Sequence, residues 1–290
     1  MEKIGFLTDS AADVPHSLCE KYDIGVAPVH LTIGGKTYRE YYDITPEEFW
    51  DILTNDSEIP ATSQVTPVEW LHFLQEKREK GCTHVAVFTM NGEGSGGYRS
   101  ACLAKEDFYD QYGKDMVIEI FDSRNYSYIY GRVIVEAAEL AQQGESFASL
   151  CQIIRDKLSR IEGYLGVYDL KVIRKSGRIS GAAALVGGAL GLKPVSHVFD
   201  GGVPVCDKVR GGKALLDKMI QRTKERVDHP ENQTGYLVYA KAPAADLDLL
   251  EKRMREEIGF QNVERIPLGA SITANSGPQA LATAYYGRPH

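Results

Sequence analysis

Cysteine and tryptophan are scarce, at five and two in 290 residues. Cys19, Cys82, Cys102, Cys151 and Cys206 are odd in number, scattered, and never spaced as a Cys-x-x-Cys pair. That spacing suggests neither a disulfide framework nor a zinc site, and leaves small buried hydrophobes as the expected role of most. A basic excess is also missing. Lys and Arg number 33 against 40 Asp and Glu, a formal charge of -7, where phosphate-backbone binding wants a basic surface. No nucleic-acid partner is expected. The uncharged stretch at 179–192, between Arg178 and Lys193, is 14 residues long and glycine-rich. It falls short of the roughly 20 residues a membrane helix needs. The opening Met1-Glu2-Lys3-Ile4-Gly5-Phe6 has no long apolar core of the signal-peptide kind. The expectation is a cytoplasmic protein without stable membrane insertion.

What the chain does have is ordinary globular chemistry, 43% hydrophobic and 25% charged, enough for one large domain or two ordinary ones. Its first half alternates short apolar runs with helical patterns. Residues 4–7, 85–88 and 117–121 read as fully buried strands bounded by turn residues. Thr45-Pro46-Glu47-Glu48 and Thr66-Pro67-Val68-Glu69 each predict a helix start, with Thr at the N-cap, Pro first and Glu third. Repeated strand–helix units predict a parallel sheet covered on both faces. Residues 29–39 read as a hairpin around Gly34-Gly35.

The second half reads as a smaller α+β domain. It has a hairpin at 195–209 around Asp200-Gly201-Gly202, helices at 212–226 and 246–258, and strands at 235–240 and 262–266. A helix at 147–160 precedes the change in pattern, which places the domain boundary near 161–165 and gives domains 1–163 and 164–290. A ligand cleft between them is expected.

The most telling segment runs from His84 to Ala101. An apolar strand meets a glycine-rich turn carrying Ser95, and a helical pattern follows. Such a turn aims the first N–H groups of the helix outward, and with one hydroxyl among them it suits an anionic oxygen. As a hydrolase nucleophile Ser95 would want Gly-x-Ser-x-Gly, and Glu93-Gly94-Ser95-Gly96-Gly97 lacks the first glycine. A nucleophile also needs a positioned His and acid, and His16, His30, His72, His84, His197, His229 and His290 stand in no telling context. A purely structural turn is the remaining alternative.

Other polar segments are weaker signals. Thr8-Asp9-Ser10 closes the first strand, and Asp13 then caps a helix containing Pro15. Asp9 could hold a metal or act as a base, but no second carboxylate accompanies it at useful spacing; equally, these side chains could tie down turn backbone. Thr62-Ser63-Gln64 leads into the second capped helix. Asp122-Ser123 ends another strand. Lys171, Arg174, Lys175 and Arg178, with Lys193, Lys208, Arg210 and Lys213, make a cationic surface suited to phosphate or an acidic partner, or a plain solvated face.

Taken in order, these segments resemble the DegV family of bacterial fatty-acid-binding proteins. The matches are Thr8-Asp-Ser-Ala-Ala-Asp-Val-Pro15, Thr62-Ser-Gln-Val-Thr-Pro67, Ser95-Gly-Gly-Tyr-Arg-Ser-Ala101 and Phe121-Asp-Ser123. Ser176-Gly-Arg-Ile-Ser180, Leu192-Lys-Pro194, Lys208-Val-Arg210 and Ser276-Gly-Pro278 continue them over nearly the whole chain. The resemblance implies an α/β fold. A parallel-sheet N-terminal domain with Rossmann-like layering would be followed by a smaller α/β domain, with a long-chain fatty acid held between them. It implies that Thr62 and Ser95, with the Gly96 N–H, hold the carboxylate, and that the acid is offered to a separate ATP-using kinase subunit. That subunit makes an acyl phosphate for phospholipid synthesis. Arg178 and Arg210 match the family arginines that face this partner and its phosphate. No catalytic residue, metal or cofactor of the chain's own is implied.

Five residues depart from the family pattern. Asn91-Gly92 replaces paired serines, Gly97 a threonine, Val65 a proline, and Asn275 a histidine. With Ser63, the residues Asn91, Gly97 and Asn275 are the expected neighbours of the head group, so a carrier of another amphiphilic carboxylate stays an alternative. A serine hydrolase acting on lipid esters is the other.

Overall fold

The computed structural model describes residues 2–55, 60–170, 172–173 and 191–289. Its first lobe is built on β1 (Ile4–Asp9), β2 (Ile24–Ala27), β6 (His84–Thr89) and β7 (Val117–Asp122). They form an all-parallel sheet in the order β2-β1-β6-β7. Alternate side chains of one strand reach opposite faces. On β6, Val85 and Val87 pack with α3 (Pro67–Glu79) and α4 (Gly97–Tyr112), while Ala86 and Phe88 join α5 (Tyr128–Gln142) and α6 (Phe147–Arg160) on the other side. Burial on both faces is why β1 and β6 read as apolar runs, but β7, expected to be fully buried, lies at the sheet edge with Val117 exposed and Glu119 half-buried.

Both threonine-led helix starts occur. Thr66 accepts the Glu69 N–H while the Glu69 carboxylate accepts the Thr66 N–H, a reciprocal pair that opens α3. Thr45 and Glu48 make the same exchange ahead of α2 (Pro46–Asn55). Asp13 does not cap a helix as the sequence suggested. It ends a short 3-10 turn at φ 51, and α1 (His16–Tyr22) starts after Pro15.

The expected hairpin is β3 (His30–Ile33) with β4 (Lys36–Arg39), and the Ala-Thr-Ser segment read as a polar loop adds a third strand to it, β5 (Ala61–Ser63). Its three residues are exposed, so no alternation of polarity marks it. Thr62 pairs with Leu31 in antiparallel register.

α6 passes directly into β8 (Ile161–Val167), the first strand of a six-stranded sheet. The others are β9 (Leu192–Val198), β10 (Val205–Arg210), β11 (Thr234–Tyr239), β12 (Asn262–Pro267) and β13 (Ala280–Tyr286), in the order β10-β9-β8-β13-β11-β12. Only β11 and β12 pair in parallel. The helices α7 (Gly212–Arg226) and α8 (Ala244–Arg253) cover the outer face with Leu215, Met219, Leu247 and Leu250. The inner face contributes Val167, Val198, Val238, Ala280 and Ala282 to the same core as Phe88 and Ile134, so α5 lies between the two sheets. The stretch 266–287, uncharged throughout, folds as a strand end, the short α9 (Ala270–Ser276) and β13. Among the described residues no helix is long and apolar enough to cross a membrane.

Candidate functional site

A cavity of about 400 Å³ opens where the carboxyl ends of the parallel strands face the inner side of the six-stranded sheet. Thr62 and Ser63 in β5, Gln64 just after it, and Ser95 and Gly96 after β6 line it. The walls are Val29, Met90, Ile129, Leu165, Val198, Val203, Val238, Leu268, Ile272 and Ala282. Sequence-distant segments thus build one hollow with largely apolar walls, lined also by the exposed Thr62 and Ser63, the half-buried Ser95 and the buried Ser127, Ser271 and Ser276.

The Ser95 turn is closed by backbone. Gly94 and Ser95 N–H both donate to Asn91 O, at 3.1 and 3.0 Å. The Ser95 hydroxyl accepts the Gly97 N–H at 3.2 Å, and the 16-residue α4 then begins. Among the described residues nothing accepts the Gly96 or Tyr98 N–H. Positive helix-end potential, open donors and a hydroxyl occur together, which is the chemistry of an anion receptor. Gly96 lets the Gln64 amide pack directly against it, since a methyl group there would force that side chain to move. Gln64 in turn donates to the Ser100 hydroxyl at 2.9 Å, binding the two mouth segments to each other.

Thr62, Ser63, Ser95, Gly96 and Asn275 all line this cavity. Gly97 and Asn91 lie behind the lining, both buried; Asn91 donates to Tyr126 Oη and Gly201 O. Asn275 donates to Ser271 O at 2.9 Å within α9. Arg210 is exposed on β10, away from the cavity, with Lys208 exposed two residues before it. Arg178 lies outside the described residues, as do Lys171, Arg174 and Lys175.

Sequence reasoning missed the cavity residues Tyr126, Ser127 and Ser271, which sit in a loop and at helix starts with no local signal of their own, and it named Ser276, the last residue of α9, only as part of a motif. It also missed the company Asp9 keeps. The half-buried Asp13 and the buried Glu40 lie close by, brought together from separate turns. Asp9 accepts from Met90 N–H at 2.9 Å and from the Tyr130 hydroxyl. Asp13 accepts from the Ser127 hydroxyl and the Gly269 N–H. Glu40 accepts from the Ser10 hydroxyl at 2.6 Å and the Ser271 N–H at 2.7 Å. Burial raises all three carboxyls, Asp9 to about 6, and the Glu40 charge adds to the rise at Asp9 and Asp13. These acids fix the entry of α5 and the start of α9, two walls of the cavity. They are anchors. Among the described residues no group of His, Cys, Asp and Glu has metal-binding geometry.

The DegV family model matches residues 3–288. A DegV domain-containing protein of Caldanaerobacter subterraneus subsp. tengcongensis is 31% identical over 286 residues, covering 98% of this chain and 99% of that protein. A fatty-acid-binding DegV family protein from Thermus thermophilus has a similar structure, with a TM-score of 0.87 at 25% identity over 99% of this chain and 100% of that one. The Fatty Acid Kinase (Fak) B3 protein of Streptococcus pneumoniae, solved loaded with linoleic acid, shares the fold at a TM-score of 0.84 and 16% identity, over 99% of each chain. A family match along almost the whole sequence and a fold shared from end to end lead to one assignment: this chain belongs to the DegV family.

Proposed function

We propose that this protein binds a long-chain fatty acid, with the acyl chain in the cavity and the carboxylate on the Thr62 and Ser95 hydroxyls and the Gly96 N–H. Ser63, Asn91, Gly97 and Asn275 support that head-group site. The observation that carries the reading is the composition of the cavity: aliphatic walls from both lobes, and the Thr62 and Ser95 hydroxyls beside open helix-start donors. Ten or more buried methylenes supply about 8 kcal/mol or more of gross transfer free energy, at about 0.8 each. Immobilising the ligand costs on the order of 4–15 kcal/mol. The walls therefore carry most of the affinity. The hydroxyls choose which end faces out, since a buried carboxylate without donors is heavily penalised.

The reading is of a cytoplasmic carrier with no chemistry of its own, which presents the acid to a separate ATP-dependent fatty acid kinase. The Ser95 hydroxyl is engaged by the Gly97 N–H, and no histidine is among the described residues lining the cavity, which favours binding over acyl transfer. Native mass spectrometry of the freshly purified protein tests the core of this. A complex heavier than the chain by the mass of a long-chain fatty acid is expected, and a bare chain that also refuses added oleate would end the reading. Arg178 and Arg210 are assigned to the partner side. Arg210→Ala should keep the lipid but slow acyl-phosphate formation by the kinase about tenfold, the effect of losing one charge-assisted contact to phosphate. Unchanged turnover would remove Arg210 from that role.

A further inference from the structure

Fatty-acid binding leaves a second set of contacts beside the cavity unexplained. The turn at 199–202 joins β9 to β10, and Val198 and Val203, immediately either side of it, belong to the cavity wall. This turn docks on the first lobe. Asn91 Nδ2 donates to Gly201 O at 2.9 Å, and Gly201 N–H donates to Arg124 O at 2.6 Å. The Arg124 guanidinium reaches Asp200 through Nε to Oδ1 at 2.5 Å and through Nη2 to the backbone oxygen at 3.2 Å. Asn91 is 1% exposed and fully used, because its other amide proton goes to Tyr126 Oη at 2.7 Å and its Oδ1 accepts the Glu93 N–H at 3.2 Å. Gly201 has φ +82, and a methyl group on it would stand 3.1 Å from Asn91 Oδ1.

We propose that Asn91 and Arg124 clasp the 199–202 turn against the head-group loop, and that opening of this clasp gates exchange of the acyl ligand. The inference rests on the fatty-acid reading. The strength of the contact suits a gate. Arg124 and Asp200 are 45% and 58% exposed, so their ion pair holds weakly in water. The two bonds to Gly201 hold the turn, and one comes from a buried amide whose loss would orphan a carbonyl. The clasp's bonds lie at the tip of the turn, so their opening leaves the β9–β10 ladder behind it paired. When it opens, Val198 and Val203 lose their backing and the cavity wall parts.

The full chain, loaded with a fluorescent long-chain fatty acid and chased with excess oleate, gives the release rate by stopped flow. Gly201→Ala and Arg124→Ala should load to the wild-type stoichiometry; Gly201→Ala should release about five- to tenfold faster, the range of one or two lost hydrogen bonds, and Arg124→Ala, which gives up an exposed ion pair, about two- to threefold faster. The double variant should release no faster than the faster single one, because both act through one contact. Arg124→Ala changes only an exposed side chain, so it keeps the test sound if Gly201→Ala folds poorly. Release at the wild-type rate, or effects that multiply in the double variant, overturns the clasp. A wild-type protein that takes up no acid overturns the clasp and the fatty-acid reading together.

Discussion

Replacing Thr62 and Ser95 together by alanine should weaken retention of a long-chain fatty acid about a hundredfold. A hydrogen bond to a charged group contributes about 1.5–3 kcal/mol, and a carboxylate left without its donors bears a further desolvation cost. Part of that loss is offset by the Gly96 N–H and by water at the mouth, since Thr62 is exposed and Ser95 half-buried. Each single substitution should therefore cost about tenfold. The fold should tolerate all three changes. Thr62 is an exposed strand residue, and Ser95→Ala removes only the acceptor for the Gly97 N–H, a loss of about 1 kcal/mol in the style of a helix cap. Titration with a fluorescent fatty acid, beside a thermal melt, separates the two effects. Retention equal to wild type in the double variant would remove these hydroxyls from the head-group site.

Asp9→Asn should stabilise the protein at pH 8 and do little at pH 5. Burial raises the Asp9 carboxyl to about 6 from an ordinary value of 3.8, against the lowering effect of its Tyr130 and Met90 donors. Between those two values the folded chain holds a proton that the unfolded chain has released. Stability contributed by this group is thus full at low pH, declines as pH rises from about 4, and is lost above about 6. The difference amounts to about 3 kcal/mol, at about 1.4 for each pH unit. Asparagine keeps an oxygen for the Met90 N–H and offers its amide to the Tyr130 oxygen, and it has no charge to bury. Melting curves of both proteins at the two pH values read the effect. An equal shift at pH 5 and pH 8 would mean that Asp9 does not titrate in this window.

Much of the architecture was legible because it is written in short-range patterns. The strands β1 and β6 are buried on both faces and so appear as largely apolar runs, whereas β7, at the sheet edge, carries Glu119 and an exposed Val117. The starts of α2 and α3 depend on a threonine and a glutamate three residues apart, whose exchange of hydrogen bonds needs no outside partner. β5 escaped notice because it is three exposed residues long and exists only through its pairing with β3. Asp13 looked like a helix cap by position, yet its carboxylate is spent on Ser127 and Gly269, more than a hundred residues away. Glu40 carried no signal at all, because its partners Ser10 and Ser271 come from opposite ends of the chain.

Ser95 and Thr62 mark the division for the candidate site. Local order was enough to name them, since a glycine-rich turn before a helix exposes donors wherever it occurs, and the ordered set of short motifs pointed to the family. What lay beyond the amino-acid sequence was the hollow between them. Its walls come from β8, β9, β11, β13, α5 and α9, each burying one or two side chains that look like ordinary core residues. Apolar side chains state only that they avoid water. Whether they close on one another or around a ligand is settled by how the two sheets are spaced, and that spacing is a property of the packed molecule.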